Sequence, residues 1–165
     1  MFSELVWRFM GIPLETRPTV LMAEPLDDSH DFDVSWFASE GFEVIGTGRG
    51  DIALAMIDES APDLLDIDFG LTGVDTAQVI SRLRRSAATV RLPVLVLTRR
   101  DDAASLESVR RLDVAAMPKL GDTRELQEAL HRLLSAAPPR RPHRSVTPLL
   151  DRFCDDNWLA QFRES

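Results

Sequence analysis

From Thr19 onward the chain alternates short runs of β-branched and apolar residues with stretches of helical periodicity, five times before Ser135. A strand followed by a helix cannot return through a tight hairpin. The helix crosses over, the next strand lies parallel, and helices cover both faces of the sheet. The expected strands are residues 20–23, 42–45, 64–67, 93–97 and 114–117. The third and fourth are nearly all apolar, as central parallel strands are, and should lie deepest. The fold class is therefore α/β, a doubly wound five-stranded parallel sheet.

Between the strands, Phe32 with Trp36 and Phe37, Ile52 with Met56 and Ile57, and Val79 with Ile80 and Leu83 recur at helical spacing. Each set follows an acidic cap candidate: Asp28, Asp51 and Asp75. A fourth helix is expected over 103–112. The fifth is the clearest, because Asp122 and Glu125 form a capping pair ahead of a stripe of Leu126, Leu130, Leu133 and Leu134. It should end at Ala136 and Ala137, before the prolines.

This body, residues 18–135, reads as one domain. Ahead of it, 1–17 is an amphipathic extension carrying Phe2, Leu5, Val6, Phe9 and Met10, stopped by Gly11 and Pro13. Behind it, 136–148 is a stiff, basic, proline-rich linker containing APPRRPHRSVTP. The last segment, 149–165, is an amphipathic helix with Leu150, Phe153, Cys154, Trp158 and Phe162 at helical spacing. The terminal stripes with Trp7 and Trp158 are expected to pack on the domain, on each other or across a homodimer.

Charge narrows the partners. The chain carries a formal −8, and residues 18–135 hold 21 acidic against 12 basic residues. Such a body lacks the basic face that phosphate neutralisation requires, so nucleic acid is not an expected partner. The Arg140, Arg141, His143 and Arg144 cluster reads as a solvated tail. A single cysteine excludes an intramolecular disulfide, and one Cys with three His cannot build a four-ligand zinc site. His30, His131 and His143 share no spacing that marks a relay. No apolar run approaches a bilayer span, and MFSELVWRFM lacks a basic n-region, so the expected location is cytoplasmic, with no membrane partner.

In an open parallel sheet, chemistry gathers outside the carboxyl ends of the strands. Those positions hold Glu24, Asp68, Thr98 and Lys119. A carboxylate nucleophile beside a hydroxyl and an ammonium suits phosphoryl transfer, since the hydroxyl and ammonium can stabilise the phosphoryl oxygens. Lys119 is the only lysine among 19 basic residues, so a merely solvated cation at this position would more naturally be arginine.

VLMAEPLDD, PDLLDIDFGLTGVD, LPVLVLT and AAMPKLGDTRELQEAL resemble, in order and spacing, the acidic-loop, acceptor, hydroxyl and lysine motifs of response-regulator receiver domains. The resemblance covers residues 18–135. It implies a CheY-like, flavodoxin-like fold in which Asp68 accepts phosphate, Thr98 moves toward the phosphoryl group and Lys119 pairs with it. A histidine kinase or phosphotransfer protein would donate the phosphate, and a downstream protein would receive the signal. It further implies Mg²⁺ near Asp68, Glu24 and the Gly70 carbonyl.

The sequence departs from that pattern in four places. Pro25 stands where the second acidic ligand is expected and offers neither a carboxylate nor an amide hydrogen, so Mg²⁺ binding should be weakened. Arg99 follows Thr98 in place of a small residue, and its guanidinium is expected to lie across Asp68 and Glu24 as a substitute cation. Ala116 replaces the aromatic switch residue, and Leu120 the proline after the lysine.

The first functional expectation is a stand-alone receiver in a two-component or phosphorelay pathway, not itself an enzyme. The alternative is a phosphorylation-independent pseudo-receiver that binds partners or dimerises. A small flavodoxin-like or hydrolase-like enzyme is disfavoured, because EPLDDS lacks a Gly- or Ser/Thr-rich phosphate cradle.

Overall fold

A computed structural model of the chain describes residues 17–25, 30–98, 103–119 and 122–137. The elements run β1 (Thr19–Ala23), α1 (His30–Ser39), β2 (Glu43–Thr47), α2 (Gly50–Ser60), β3 (Leu64–Ile67), α3 (Thr76–Arg85), β4 (Val94–Thr98), α4 (Ala103–Val109), β5 (Ala115–Pro118) and α5 (Thr123–Ala136). The strands form one parallel sheet in the order β2-β1-β3-β4-β5, the doubly wound arrangement expected. The chain reverses its direction of travel at β1, and the switch point lies between β1 and β3.

The period-two alternation of strand side chains divides the core into two layers. Leu21, Ala23, Ile45, Leu65, Ile67, Val94 and Val96 face α2, α3 and α4, where Met56, Ile57, Val79, Ile80, Leu83 and Val109 meet them. Val20, Met22, Leu64, Leu95 and Leu97 face the other way, against Val34, Trp36 and Phe37 of α1 and Leu130 and Leu134 of α5. β3 and β4 are buried throughout, as their apolar runs require, and β1 is buried just as completely because it too has a strand on each side. β5 is the partly exposed edge, with Ala116 open to solvent.

Local chemistry sets the helix ends. Asp75 caps α3, its carboxylate accepting the Gln78 N–H at 2.9 Å. Asp122 does the same for α5 through the Arg124 N–H at 2.8 Å. Asp51 is not a cap: α2 begins one residue earlier, Arg49 holds the N-cap position, and Asp51 sits in the first turn, paired with Arg49 at 2.7 Å. α4 stops at Val109, short of the expected residue 112. There the Leu112 N–H turns back to the Val109 carbonyl, and Asp113 takes a left-handed φ of 54°. Phe32 lies off the apolar stripe of α1 and is 45% exposed, so Val34, Trp36 and Phe37 alone carry that contact with the sheet. Asp28, Arg99, Leu120, the segment before residue 17 and everything after 137 lie outside the described residues.

Candidate functional site

The carboxyl ends of β1, β3, β4 and β5 bring Glu24, Asp68, Thr98 and Lys119 to one end of the sheet. Main-chain bonds fix the positions. The Asp68 N–H donates to the Ala23 carbonyl at 3.0 Å, the Glu24 N–H to Thr47 at 3.1 Å and the Lys119 N–H to Thr98 at 2.6 Å. The Thr76 hydroxyl donates to the Asp68 carbonyl at 2.6 Å, tying the start of α3 to the strand end.

Lys119 reaches from the edge of the sheet into its centre. Its Nζ donates to Glu24 Oε2 and lies 3.2 Å from Asp68 Oδ2 and 3.4 Å from Asp33 Oδ2. The four side chains are between 1% and 7% exposed, so water screens these contacts weakly. Burial alone would lower the lysine's affinity for its proton. Glu24, Asp68 and Asp33 outweigh that cost and hold the ammonium above the ordinary lysine range. Burial also raises Asp68 above the usual carboxylate range, against the opposing pull of Lys119 and of the Phe69 N–H, which donates to Asp68 Oδ1 at 2.7 Å.

Two members of this cluster were not anticipated from the sequence, Asp33 and Asp66. Both are buried, at 3% and 1% exposure. Asp66 precedes Asp68 by two residues in β3 and therefore shares its face of the sheet. Its Oδ1 accepts no hydrogen bond among the described residues. Burial first, then the charges of Glu24 and Asp33, push its pKa well above the carboxylate range. The available signal was a carboxylate at even spacing from Asp68 in an otherwise apolar strand, and another beside Val34 within the apolar stretch of α1.

The described residues do not fit Mg²⁺ as the resemblance implies. Mg²⁺ needs hard oxygens in near-octahedral array, and no three described His, Cys, Asp or Glu side chains converge in that way. Pro25 contributes no carboxylate, and its ring lies against Gly70, where an added Cβ would meet Pro25 Cγ at 3.4 Å. Glu24 and Asp68 already hold the Lys119 ammonium. Gly70 turns with φ 89° at the loop after Asp68.

A doubly wound sheet with a buried carboxylate after its third strand, 3.2 Å from a lysine that follows the fifth, and with a buried threonine ending the fourth, is the arrangement of a receiver-type domain. Comparison with known proteins agrees. No protein-family model matches the chain. The phosphate regulon transcriptional regulatory protein PhoB of Rhizobium meliloti (strain 1021) is 38% identical over 104 residues, which cover 61% of this chain and 45% of that protein. AfsQ1 of Streptomyces coelicolor, a transcriptional regulatory protein, is 36% identical over 63 residues, covering 38% of this chain and 27% of its own. The chain thus spans less than half the length of these curated relatives. Among solved structures, one described as a response regulator from Chloroflexus aurantiacus J-10-fl superposes with TM-score 0.67 at 25% identity, covering 73% of this chain and 99% of that one. The receiver domain of sensor histidine kinase PA1611 from Pseudomonas aeruginosa PAO1, which holds magnesium in its cleft, shares the fold at TM-score 0.65 and 19% identity, covering 72% and 98%. The described body is thus similar to response-regulator receiver domains in its fold, and 61% of the chain is similar in sequence to a regulator of that kind. No described helix is long and apolar enough to cross a membrane.

Proposed function

We propose that Asp68 accepts a phosphoryl group from the phosphohistidine of a kinase or phosphotransfer protein, and that the modified domain signals by changing its protein contacts. One observation carries this reading: the Lys119 ammonium lies 3.2 Å from Asp68 Oδ2, where it can neutralise an incoming phosphoryl oxygen. In the transfer, an Asp68 carboxylate oxygen forms the O–P bond as the N–P bond to the donor imidazole breaks, and the imidazole leaves with the electron pair and takes up a proton. Thr98 is buried at the end of β4, where its carbonyl accepts the Lys119 N–H, and in this reading its hydroxyl would turn to the phosphoryl group.

The second reading is a pseudo-receiver that binds partners without phosphorylation. It is favoured by the engagement of Lys119 with Glu24 and Asp33 as well as Asp68. Intact-mass measurement after treatment with a small phosphodonor, with and without Mg²⁺, separates the two. The first reading expects a single phosphoryl adduct that Asp68→Asn abolishes. No adduct under either condition would replace it with the second.

A further inference from the structure

Asp33 has no part in the acceptor motif, yet it stands against the lysine of that motif. It comes from the first turns of α1, is 3% exposed, and brings Oδ2 to 3.4 Å from Lys119 Nζ. Carrying a carboxylate into this apolar layer, beside Val34, Trp36 and Phe37, costs desolvation that only a paired charge offsets. Among the described residues the Lys119 ammonium supplies such a charge. With Glu24 and Asp68, Asp33 is the third carboxylate near the single Nζ, held by an ion-pair contact without a hydrogen bond to its Oδ2.

We propose that the Lys119 ammonium is the resident cation of this site in place of a divalent metal, and that Asp33 is the positioning residue that seats it there. Two independent features agree. Pro25 removes a carboxylate from the loop after β1, and its ring stands against Gly70. The sole lysine of the chain is 8% exposed and reaches three carboxylates borne on three different elements. A divalent ion entering between Glu24 and Asp68 would have to displace an ammonium that already contacts both carboxylates. A lysine held by Asp33 keeps its charge at the acceptor whether or not metal is present.

This inference rests on the receiver reading but concerns the unphosphorylated protein, so its test does not depend on whether Asp68 becomes phosphorylated. In the full chain, Mg²⁺ titration followed by calorimetry, and by the NMR signal of selectively labelled lysine, should show no saturable heat and no movement of the single side-chain resonance. Modification of Lys119 by an amine reagent, read by peptide mapping, should be slow in the parent. It should accelerate on the order of ten-fold in Asp33→Asn, the change expected when the lysine loses about one pKa unit of stabilisation. Asp33→Glu should restore slow modification, which a general loosening of the fold would not. Saturable Mg²⁺ binding that shifts the lysine signal would overturn the proposal. So would an Asp33→Asn protein, folded by circular dichroism, in which Lys119 reacts at the parent rate. Should Asp33→Asn fail to fold, the Mg²⁺ titration of the parent still decides.

Discussion

The Lys119 ammonium lies 3.2 Å from the Asp68 carboxylate, although the two residues follow strands separated by β4. The lysine side chain must cross the end of that strand, and the Lys119 N–H anchors its start by donating to the Thr98 carbonyl. The site is thus defined by three neighbouring strand ends, and Glu24 closes it from β1.

Removing the lysine should leave buried carboxylates without a counter-charge. Lys119→Met is expected to cost about 3 kcal/mol at neutral pH, in the range found when one partner of a buried pair is deleted. Because the folded-state pKa of Lys119 is raised, this stabilisation is fully present below the ordinary lysine pKa and is lost as pH rises through the folded value. Urea unfolding of parent and variant checks it; equal midpoints at pH 7 would contradict it.

Asp66 should give the opposite pH dependence to a salt-bridged carboxylate. Its folded pKa is raised, so its contribution is complete below the unfolded value of about 3.9 and is lost as pH rises toward the folded one. The parent should therefore lose stability relative to Asp66→Asn as pH climbs from about 4, and the variant should be about 1 kcal/mol or more the stabler near pH 8. Denaturant melts across that range measure the difference; a gap that is constant with pH would refute the assignment.

Much of this was legible in the sequence. The five strand-helix units, the parallel sheet and the gathering of Glu24, Asp68, Thr98 and Lys119 followed from periodicity and from the rule that sites lie at strand ends. Asp33 and Asp66 were not legible, because a stripe analysis reads helices and strands by their apolar members and treats an interrupting carboxylate as solvent-facing. Phe32 failed for the converse reason: an aromatic at suitable spacing from Trp36 lies on the solvent side. The expectation that Arg99 would bridge Asp68 and Glu24 lies outside the described residues; among the described residues Lys119 reaches both carboxylates. The stop of α4 at Val109 depends on Asp113 turning left-handed, which no local pattern announces.

Arg84 should prove a structural clamp. Its guanidinium donates to the carbonyls of Asp113, Leu112, Leu92 and Val90 at 2.8, 2.9, 3.0 and 3.3 Å, binding the loops before β4 and β5 to α3. Arg84→Met is expected to lower stability by about 2–3 kcal/mol. Arg84→Lys should recover little, because one ammonium cannot span the fork. Thermal melts of the two variants, indistinguishable from the parent, would contradict this.

Gly50 should tolerate no side chain. A Cβ there would stand 1.9 Å from the Val74 carbonyl oxygen, so Gly50→Ala must displace the loop that leads from Asp68 to α3. A loss of about 3 kcal/mol is expected, with hydrogen exchange rising first in residues 69–75. An alanine variant of parental stability would show that the loop yields freely.

The seating of Lys119 against Asp68, Glu24 and Asp33 is tested most directly by the pH titration of the one lysine in the chain, followed by NMR of its selectively labelled side chain. The ammonium should stay protonated well past about pH 10.4, where a solvated lysine titrates, and Asp68→Asn should move the midpoint down. A lysine that titrates in the ordinary range, with a midpoint indifferent to Asp68→Asn, would contradict the account.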